Sequence, residues 1–331
     1  MVGIDDVARA AGVSTATVSR TLSGRGPVSA GARARVLDAA DRLGYVVSAA
    51  ASSLASGRTR NIGVLGSLPD RWFFATVIGA ISARLLPHGF DLTLYHLTDD
   101  PDQRRTVFER SLRRGRVDGL VVLSARLSDA ELDELEALEL PVVSVGPNPR
   151  LRALAVDDEA VGVAATTHLL NLGHTRIAHV GLETDDPLHI PTRRLRGWER
   201  ALADAGIPVS ARPFAAADFT FEGGRRAARA LLAAPERPTA VFAASDEMAV
   251  GVIAAAREAG LDVPRDLSVV GVDGHELSAF FEITTIDQFP QSQGERAADA
   301  MLAALGLPVA APAAALPFEL VVRASTAPPR P

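Results

Sequence analysis

The chain has 331 residues, of which 47% are hydrophobic, so it is longer than one typical domain requires. It has no cysteine, which excludes disulfide bonds and thiolate metal sites, and it has no apolar run of about 20 residues, so no membrane-spanning helix is expected. The formal net charge is −6, yet residues 1–60 contain eight arginines and four acidic residues, a balance of +4, which leaves −10 for the remainder. A small basic segment on an acidic body favours a nucleic-acid-binding module attached to a second unit, with chance as the alternative explanation.

The N-terminal pattern predicts two short helices joined by a tight turn. Apolar residues at helical spacing run from Ile4 to Ala11, and Gly12 can adopt the positive φ that ends a helix. Ser14 is a good N-cap for the second helix, residues 14–22. The spacing is that of a helix-turn-helix, and a small helical cap on a larger domain is the alternative. A third helix is predicted after Ser29, with these residues facing inward: Ala32, Val36, Ala39, Ala40 and Leu43.

The second helix has an inner stripe and an outer face. Val18, Thr21 and Leu22 share the inner stripe with Ser14. The outer face is short, polar and small, so it can approach a groove closely. Its residues are Thr15, Ala16, Ser19 and Arg20, with Thr17 at the border.

From residue 61 onward, strand-like apolar runs alternate with helical segments, which predicts βα units with buried parallel sheets. The strand-like runs are "NIGVLGSL", "FDLTLYHL", "VDGLVVLSA", "LPVVSVG", "RIAHVGLE", "TAVFAAS" and "LSVVGVDG". The helical segments between them include 101–114, 159–172, 192–205, 222–233 and 246–259. This part of the chain is long enough for two such sheets.

Polar residues follow several of these runs, at the strand ends where open α/β sheets bind ligands. They are Asp157, Asp158, Ser245, Asp246 and Asp273, and Arg194 opens a helical segment nearby. Carboxylates and an arginine around one cleft can hydrogen-bond sugar hydroxyls, and aromatic rings can stack on a sugar. Candidate aromatic residues are Trp72, Phe73, Phe74, Phe219 and Phe221. Helix capping is the alternative for Asp157 and Asp246, and core packing is the alternative for the aromatic residues.

The segment "IDDVARAAGVSTATVSRTLSGRGPVS" and the later motifs "LGHTRIAHVG", "TAVFAASDEMAVG", "VPRDLSVVGVDG" and "ELVVRAST" resemble the LacI/GalR family of bacterial transcription regulators over nearly the whole chain. The resemblance implies an N-terminal all-α helix-turn-helix head and an α/β body of two periplasmic-binding-protein-like subdomains with parallel sheets. We expect the DNA-binding domain at 1–45, a hinge helix or linker at 46–60, and an effector-binding and dimerisation domain at 61–331. The expected N-subdomain is 61–157 with 289–317, and the expected C-subdomain is 158–288 with 318–331.

The resemblance also makes the second helix the recognition helix of the major groove. It implies base contacts from Thr15, Ala16 and Arg20, and arginine donates readily to guanine. Ser14, Thr17 and Ser19 are better suited to phosphates, and capping or solvation is their alternative role. In the hinge, Leu54 is expected to insert between base pairs, with a flexible linker as the alternative. This hinge departs from the family pattern, because Val47, Ser48 and Ser52 replace its common Pro, Asn and Arg.

For the effector site, the resemblance implies contacts from Phe73, Phe74, Arg194, Asp246 and Asp273. Phe219 is a further aromatic candidate for this site. The family pattern is broken at three positions, namely Gly146, Ser245 and Gly274.

These features predict an effector-responsive DNA-binding regulator, most often a repressor in this family, that binds a near-palindromic operator as a homodimer. The expected effector is a sugar or sugar derivative, and no cofactor or metal is expected. Without a heptad tail after the last strand, a dimer is expected rather than a tetramer. The N-terminus lacks an apolar secretory core, so a cytoplasmic location is expected and a sugar transport protein is disfavoured. An α/β enzyme is disfavoured because no dinucleotide fingerprint, P-loop, nucleophile elbow or close histidine pair was found.

Overall fold

The computed structural model describes residues 2–23, 26–45, 58–67, 70–208 and 213–330. Two compact units are present. The first comprises Met1–Asn61 with Gly115–Asp118, and the second comprises Ile62–Arg114 with Gly119–Pro331.

Three helices form the N-terminal part of the first unit. They are α1 Ile4–Ala11, α2 Thr15–Ser23 and α3 Ala30–Leu43. Gly12 ends α1 at φ 64° and Gly44 ends α3 at φ 60°, both in the left-handed region that glycine adopts without a steric penalty. The Ser29 hydroxyl accepts a hydrogen bond from the Ala32 N–H and caps α3. The predicted helix-turn-helix fold is therefore present.

A small apolar cluster holds these helices together. Its buried members are Val7, Ala8, Ala11, Val18, Val36, Ala39 and Ala40. Thr21 is buried with them at 4% exposure, and its hydroxyl has no hydrogen-bond partner among the described residues. The expectation that Leu43 faces inward was wrong, since it is 36% exposed. Gly44 turns the chain after α3, and Tyr45 packs against the cluster instead.

Two sheets form the larger unit. The first has the strand order β2-β1-β3-β4-β5, and the second has the order β11-β10-β9-β8-β6-β7. The pairs β1/β3, β3/β4 and β4/β5 are parallel, and in the second sheet only β10/β11 is antiparallel. The strands are β1 Asn61–Gly66, β2 Asp91–His96, β3 Gly119–Leu123, β4 Val142–Val145, β5 Arg152–Leu154, β6 Ile177–Gly181, β7 Phe214–Ala216, β8 Ala240–Ala243, β9 Ser268–Asp273, β10 Thr284–Asp287 and β11 Glu319–Val321.

Helices cover these sheets. They are α4 Trp72–Leu85, α5 Pro101–Thr106, α6 Asp129–Glu136, α7 Asp158–Asn171, α8 Ile190–Asp204, α9 Phe221–Leu232, α10 Asp246–Glu258, α11 Glu276–Phe280 and α12 Pro290–Ala304. Helix α12 follows β10 of the second sheet, yet it packs on α4 and on β3 and β4 of the first sheet. The chain then returns to the second sheet at β11, so it passes between the sheets three times.

Most strand interiors form the core, as the apolar runs predicted, but every residue of β2 is half-buried or exposed because β2 is an edge strand of the first sheet. Every residue of β3, β6 and β8 is buried, which is typical of parallel strands covered on both faces. Trp198 of α8 is fully buried in the same core. Among the described helices, none is both long enough and apolar enough to cross a bilayer.

Candidate DNA-binding face and effector site

The predicted DNA-contacting residues lie on the solvent-facing side of α2. Ser14, Thr15, Ala16, Ser19 and Arg20 are exposed, and Thr17 is half-buried at the border of the face. Val18 and Thr21 are buried against the other helices. The two faces of this helix are therefore divided as the sequence pattern predicted, except that Ser14, which was placed on the inner stripe, is exposed at the helix start.

Local hydrogen bonds organise that face. The Ser14 hydroxyl accepts from the Thr17 N–H at 3.3 Å and lies 3.0 Å from the Thr17 hydroxyl, so Ser14 caps the helix start. Arg20 Nε donates to the Ala16 carbonyl at 3.1 Å, which holds the arginine stem along the helix. The hinge residue Leu54 lies outside the described residues, as do Val47, Ser48 and Ser52.

In the larger unit, Arg194 of α8 is the centre of a buried polar cluster, with 5% of its side chain exposed. Its Nε donates to Asp158 Oδ1 at 2.9 Å, Nη1 donates to the Ala244 carbonyl at 2.6 Å, and Nη2 donates to Gln288 Oε1 at 3.1 Å. A guanidinium has five N–H donors, so one on each terminal nitrogen remains outside these described bonds. Arg194 thus joins the start of α7 to the carboxyl ends of β8 and β10.

Asp273, the last residue of β9, completes the cluster. Its Oδ1 accepts from Gln288 Nε2 at 2.8 Å and lies 3.8 Å from Arg194 Nη1. Burial raises the pKa of Asp273 well above its usual range, while Arg194 acts in the opposite direction. The Asp158 carboxyl, which is 3% exposed, also has its pKa raised by burial against the lowering effect of Arg194.

A close crossing of α7 and α8 sets the Arg194–Asp158 contact. A Cβ atom at Gly162 would collide with the Arg194 carbonyl, and one at Gly197 would collide with the Glu159 carbonyl. The two helices therefore approach each other through glycine. The adjacent Arg193 donates to Asp157 Oδ1 at 3.1 Å instead, and both side chains line a groove of about 670 Å³.

Asp246 lies deeper than predicted for a ligand contact, with 1% exposure. Its Oδ2 accepts from the His275 N–H at 2.8 Å and from the Thr285 hydroxyl at 2.9 Å. Its Oδ1 faces Gly271, where a Cβ atom would collide with it. Burial raises the pKa of Asp246 to about 7. This placement favours a structural role that fixes the loop after β9, and a direct effector contact stays a prediction.

Helix capping was the alternative role stated for Asp157 and Asp246, and only one of the two residues has it. Asp157 does cap α7, because Oδ1 accepts from the Glu159 and Ala160 N–H groups. Asp246 does not cap α10, because Ser245 fills that position and accepts from the Met248 N–H. Serine and asparagine are both good caps, so the replacement of asparagine by Ser245 preserves this function.

Four of the five aromatic candidates are partly buried, whereas Phe221 at the start of α9 is 39% exposed. Phe73 and Phe74 lie in the first turn of α4, pack edge to face at 5.5 Å, and contact the core. Phe219 follows β7 and packs against the second sheet's core with φ 59°. Trp72 stacks on His275 at 4.3 Å between ring centroids. Glu247 of α10 accepts from Arg71 Nη1 at 2.9 Å and from the Trp72 N–H at 3.4 Å, so α4 contacts the start of α10.

Unusual backbone geometry marks the carboxyl ends of the strands. Non-glycine residues with positive φ include Ser124 after β3 at 45°, Asp273 at the end of β9 at 118° and Phe289 after β10 at 53°. Such conformations cost about 1–3 kcal/mol each and concentrate at functional sites. Their position agrees with the location of ligand sites in open α/β sheets.

Sequence reasoning missed Gln288, which bonds both Arg194 and Asp273. It follows β10 directly, but β10 was not among the predicted strand-like runs, so the strand-end rule that selected Asp273 did not reach Gln288. The pairing of Asp158 with Arg194 was also missed, because 36 residues separate them in the chain.

An exposed recognition face on a helix-turn-helix, together with a polar cluster at the strand ends of a two-sheet body, defines the class of ligand-binding, DNA-binding regulators. Residues 3–48 match the bacterial regulatory proteins of the lacI family, and residues 166–326 match the periplasmic binding protein-like domain. The chain belongs to the LacI family of DNA-binding transcriptional regulators.

Relatives and solved structures agree with this assignment. The chain is 36% identical to the HTH-type transcriptional repressor PurR of Aliivibrio fischeri (strain ATCC 700601 / ES114), over 91% of both chains. The lac repressor dimer bound to operator and the anti-inducer ONPF aligns with a TM-score of 0.85 and 28% identity, over 98% of this chain and 99% of that one. The regulator CelR in complex with cellobiose aligns with a TM-score of 0.71 and 28% identity, over 98% and 100%. These relatives are transcriptional regulators rather than enzymes.

Proposed function

We propose that this regulator is a repressor that binds a near-palindromic operator as a homodimer and is controlled by a sugar or sugar derivative. The observation that carries the proposal is the presence, on one chain, of an exposed polar face on α2 and a buried Arg194–Asp273–Gln288 cluster at the strand ends. We propose the DNA-binding head at 1–45, the hinge at 46–60 and the effector-binding body at 61–331.

In the DNA complex, Arg20 donates to a guanine and Ala16 and Thr15 contact neighbouring bases. Ser14, Thr17 and Ser19 contact phosphates near the helix N-terminus. Apart from Arg20, the side chains of this face are small, which supports a close approach to the major groove. Leu54 is retained in the proposal as the residue that enters the minor groove.

In the effector complex, the two remaining N–H groups of Arg194 and the Asp273 carboxyl bond the ligand's hydroxyls, and Phe73, Phe74 and Phe219 contact its apolar faces. Asp246 acts beneath them by holding the loop after β9. Cellobiose in the CelR complex supports a sugar as the class of ligand. The ion pairs near the site also support an uncharged ligand, because Arg194 already pairs with Asp158 and Arg71 already pairs with Glu247.

Dimerisation is supported by the lac repressor, which was solved as a dimer on its operator. Large apolar side chains at the surface provide material for such an interface. Phe280 is 80% exposed and Leu86 is 68% exposed. We expect sedimentation velocity to show a dimer, and a stable tetramer would contradict the proposal.

A thermal-shift screen against sugars, sugar phosphates and nucleosides tests the effector assignment. A ligand that binds only the native state raises the unfolding midpoint by mass action. We expect a sugar to raise the midpoint of the wild-type protein and Asp273→Asn to abolish most of that shift. Operator affinity measured with and without the same sugar then shows whether the sugar releases the regulator from DNA or recruits it to DNA. The sugar must change DNA affinity by the same factor by which DNA changes sugar affinity. A shift that survives Asp273→Asn unchanged would remove Asp273 from the site.

A further inference from the structure

One carboxylate holds the segment that leads into β1. Asp118 Oδ1 accepts hydrogen bonds from the Thr59 N–H at 2.6 Å and from the Thr59 hydroxyl at 2.8 Å. Asp118 Oδ2 accepts from the Arg60 N–H at 2.9 Å. Two consecutive backbone N–H groups and a hydroxyl therefore converge on the same side chain. Hydrogen bonds to an ionised carboxylate are among the strong ones in proteins.

Backbone contacts extend this attachment. The Asp118 N–H donates to the Asn61 carbonyl at 2.8 Å, and Asn61 Nδ2 donates to the Arg116 carbonyl at 2.9 Å. Arg60 has φ 52°, a conformation that a non-glycine residue keeps only where its surroundings impose it. We call residues 58–61 the junction. Five described hydrogen bonds hold it against residues 116–118.

The attachment lies at the entry to two neighbouring strands. Asn61 begins β1, and Asp118 directly precedes β3. The next residues, Ile62 and Gly119, are paired in register in the parallel ladder. Both strands are inner strands of the first sheet. The junction is also the covalent path from the body to the DNA-binding head.

We propose that Asp118 is a positioning residue for the regulator: its carboxylate fixes the junction, the segment of the chain that leads from the head into β1. This role rests on the proposed function, because it matters only if the head binds DNA. The hydrogen bonds of the Asp118 carboxylate to Thr59 and Arg60, which we call the clamp, do not depend on DNA binding. Loss of the clamp therefore loosens residues 58–61 without altering the core of either sheet.

Limited trypsin digestion of the full chain tests the clamp directly, because Arg58 and Arg60 are trypsin sites within the junction. Cleavage requires the Thr59 and Arg60 N–H groups to leave Asp118, so the rate reports local opening. We expect Asp118→Ala to raise the cleavage rate after Arg60 by about tenfold, since charge-assisted hydrogen bonds are lost. Asp118→Asn, which keeps one acceptor oxygen, should lie between wild type and Asp118→Ala.

Two variants provide controls. Thr59→Val removes only the hydroxyl donor and should raise cleavage slightly, whereas Thr59→Ser keeps that donor and should match wild type. Asp99→Ala changes an exposed aspartate in the bend after β2 and should also match wild type. The thermal midpoint of each variant is measured in parallel. The proposal would be overturned if trypsin cleaved both Asp118→Ala and Thr59→Val at the wild-type rate. It would also be overturned if faster cleavage were fully explained by a lower thermal midpoint of the variant.

DNA binding separates this proposal from the proposed function. With an operator sequence selected by the wild-type protein, Asp118→Ala should weaken operator binding severalfold and leave binding to random DNA unchanged, because random sites use phosphate contacts alone. Equal operator affinity in a variant that trypsin cleaves faster would overturn the positioning role. Failure of the wild-type protein to select any DNA would refute the proposed function while the trypsin result still decides whether the clamp exists.

Discussion

The outer face of α2 and the Arg194 cluster are two functional regions built in opposite ways. On α2 the predicted contact residues are exposed, and separate buried residues such as Val18 hold the helix in place. Around Arg194 the same side chains form the candidate site and the framework, because Arg194 bonds Asp158, Ala244 and Gln288 at once. Changes on the outer face of α2 should therefore alter binding alone, whereas changes around Arg194 should alter binding and stability together.

The largest expected effect that separates the two regions is on the stability of the body. Arg194→Ala leaves Asp158 buried without its partner, which we expect to cost about 3–5 kcal/mol of unfolding free energy. Urea denaturation followed by tryptophan fluorescence measures this loss. Arg200→Ala is the matched control on the same helix, since its side chain is 64% exposed and its pair with Glu159 should contribute less than about 1 kcal/mol. Equal losses for the two variants would show that Arg194 is not a framework residue.

The pH dependence of the body should come next in size. The pKa of Asp246 rises from 3.8 to about 7 on folding because of burial. Between these pH values the unfolded chain loses its proton first, so stability falls as the pH rises through this window and the loss is complete above about 7. Asp246→Asn removes this titration, and urea denaturation at pH 5 and pH 8 should show a smaller fall than in wild type. A constant difference between the two proteins would contradict the assignment.

On α2, we expect a change in DNA binding without a change in folding. Arg20→Ala should weaken operator binding by about 1–3 kcal/mol and relax the preference at one base position. Fluorescence anisotropy with operator and random DNA measures both effects. Arg9→Ala is a control, because Arg9 is 77% exposed and pairs with Asp6. If Arg20→Ala weakened binding to operator and random DNA equally, Arg20 would contact phosphate only.

The smallest effect should arise beneath the recognition face. Thr21 buries a hydroxyl that has no described partner, so Thr21→Val should stabilise the head by about 1 kcal/mol. Thr17→Val is the control, since the Thr17 hydroxyl lies 3.0 Å from the Ser14 hydroxyl and loses that contact. The midpoint of thermal unfolding, measured by circular dichroism, should therefore rise for Thr21→Val and not for Thr17→Val.

Sequence signals near the helix ends were sufficient to predict the helix-turn-helix. Gly12 and Ser29 act within a few residues of their own positions, so the ends of α1 and the start of α3 followed from sequence. Leu43 was misplaced because the turn at Gly44 brings Tyr45 to the cluster, and helical periodicity does not include that turn.

The body required long-range information. The alternating pattern predicted its parallel sheets, but the short strands β5, β7 and β11 have three residues each and lack a clear pattern. Arg194 and Asp273 lie in one cluster, as the sequence predicted, and their contact with an effector stays a prediction. The burial of Asp246 depends on Gly271 and on Thr285 in other strands. Spacing along the chain does not specify such partners.

Selection of DNA by the purified protein from a random-sequence pool tests the central claim most directly. Parallel selections with wild type and Arg20→Ala should both enrich a sequence with two symmetric half-sites. We predict that the variant loses the preference for guanine at one position in each half-site and retains the others. No enriched sequence with the wild-type protein, or an identical sequence with Arg20→Ala, would contradict the assignment of α2 as the DNA-reading helix.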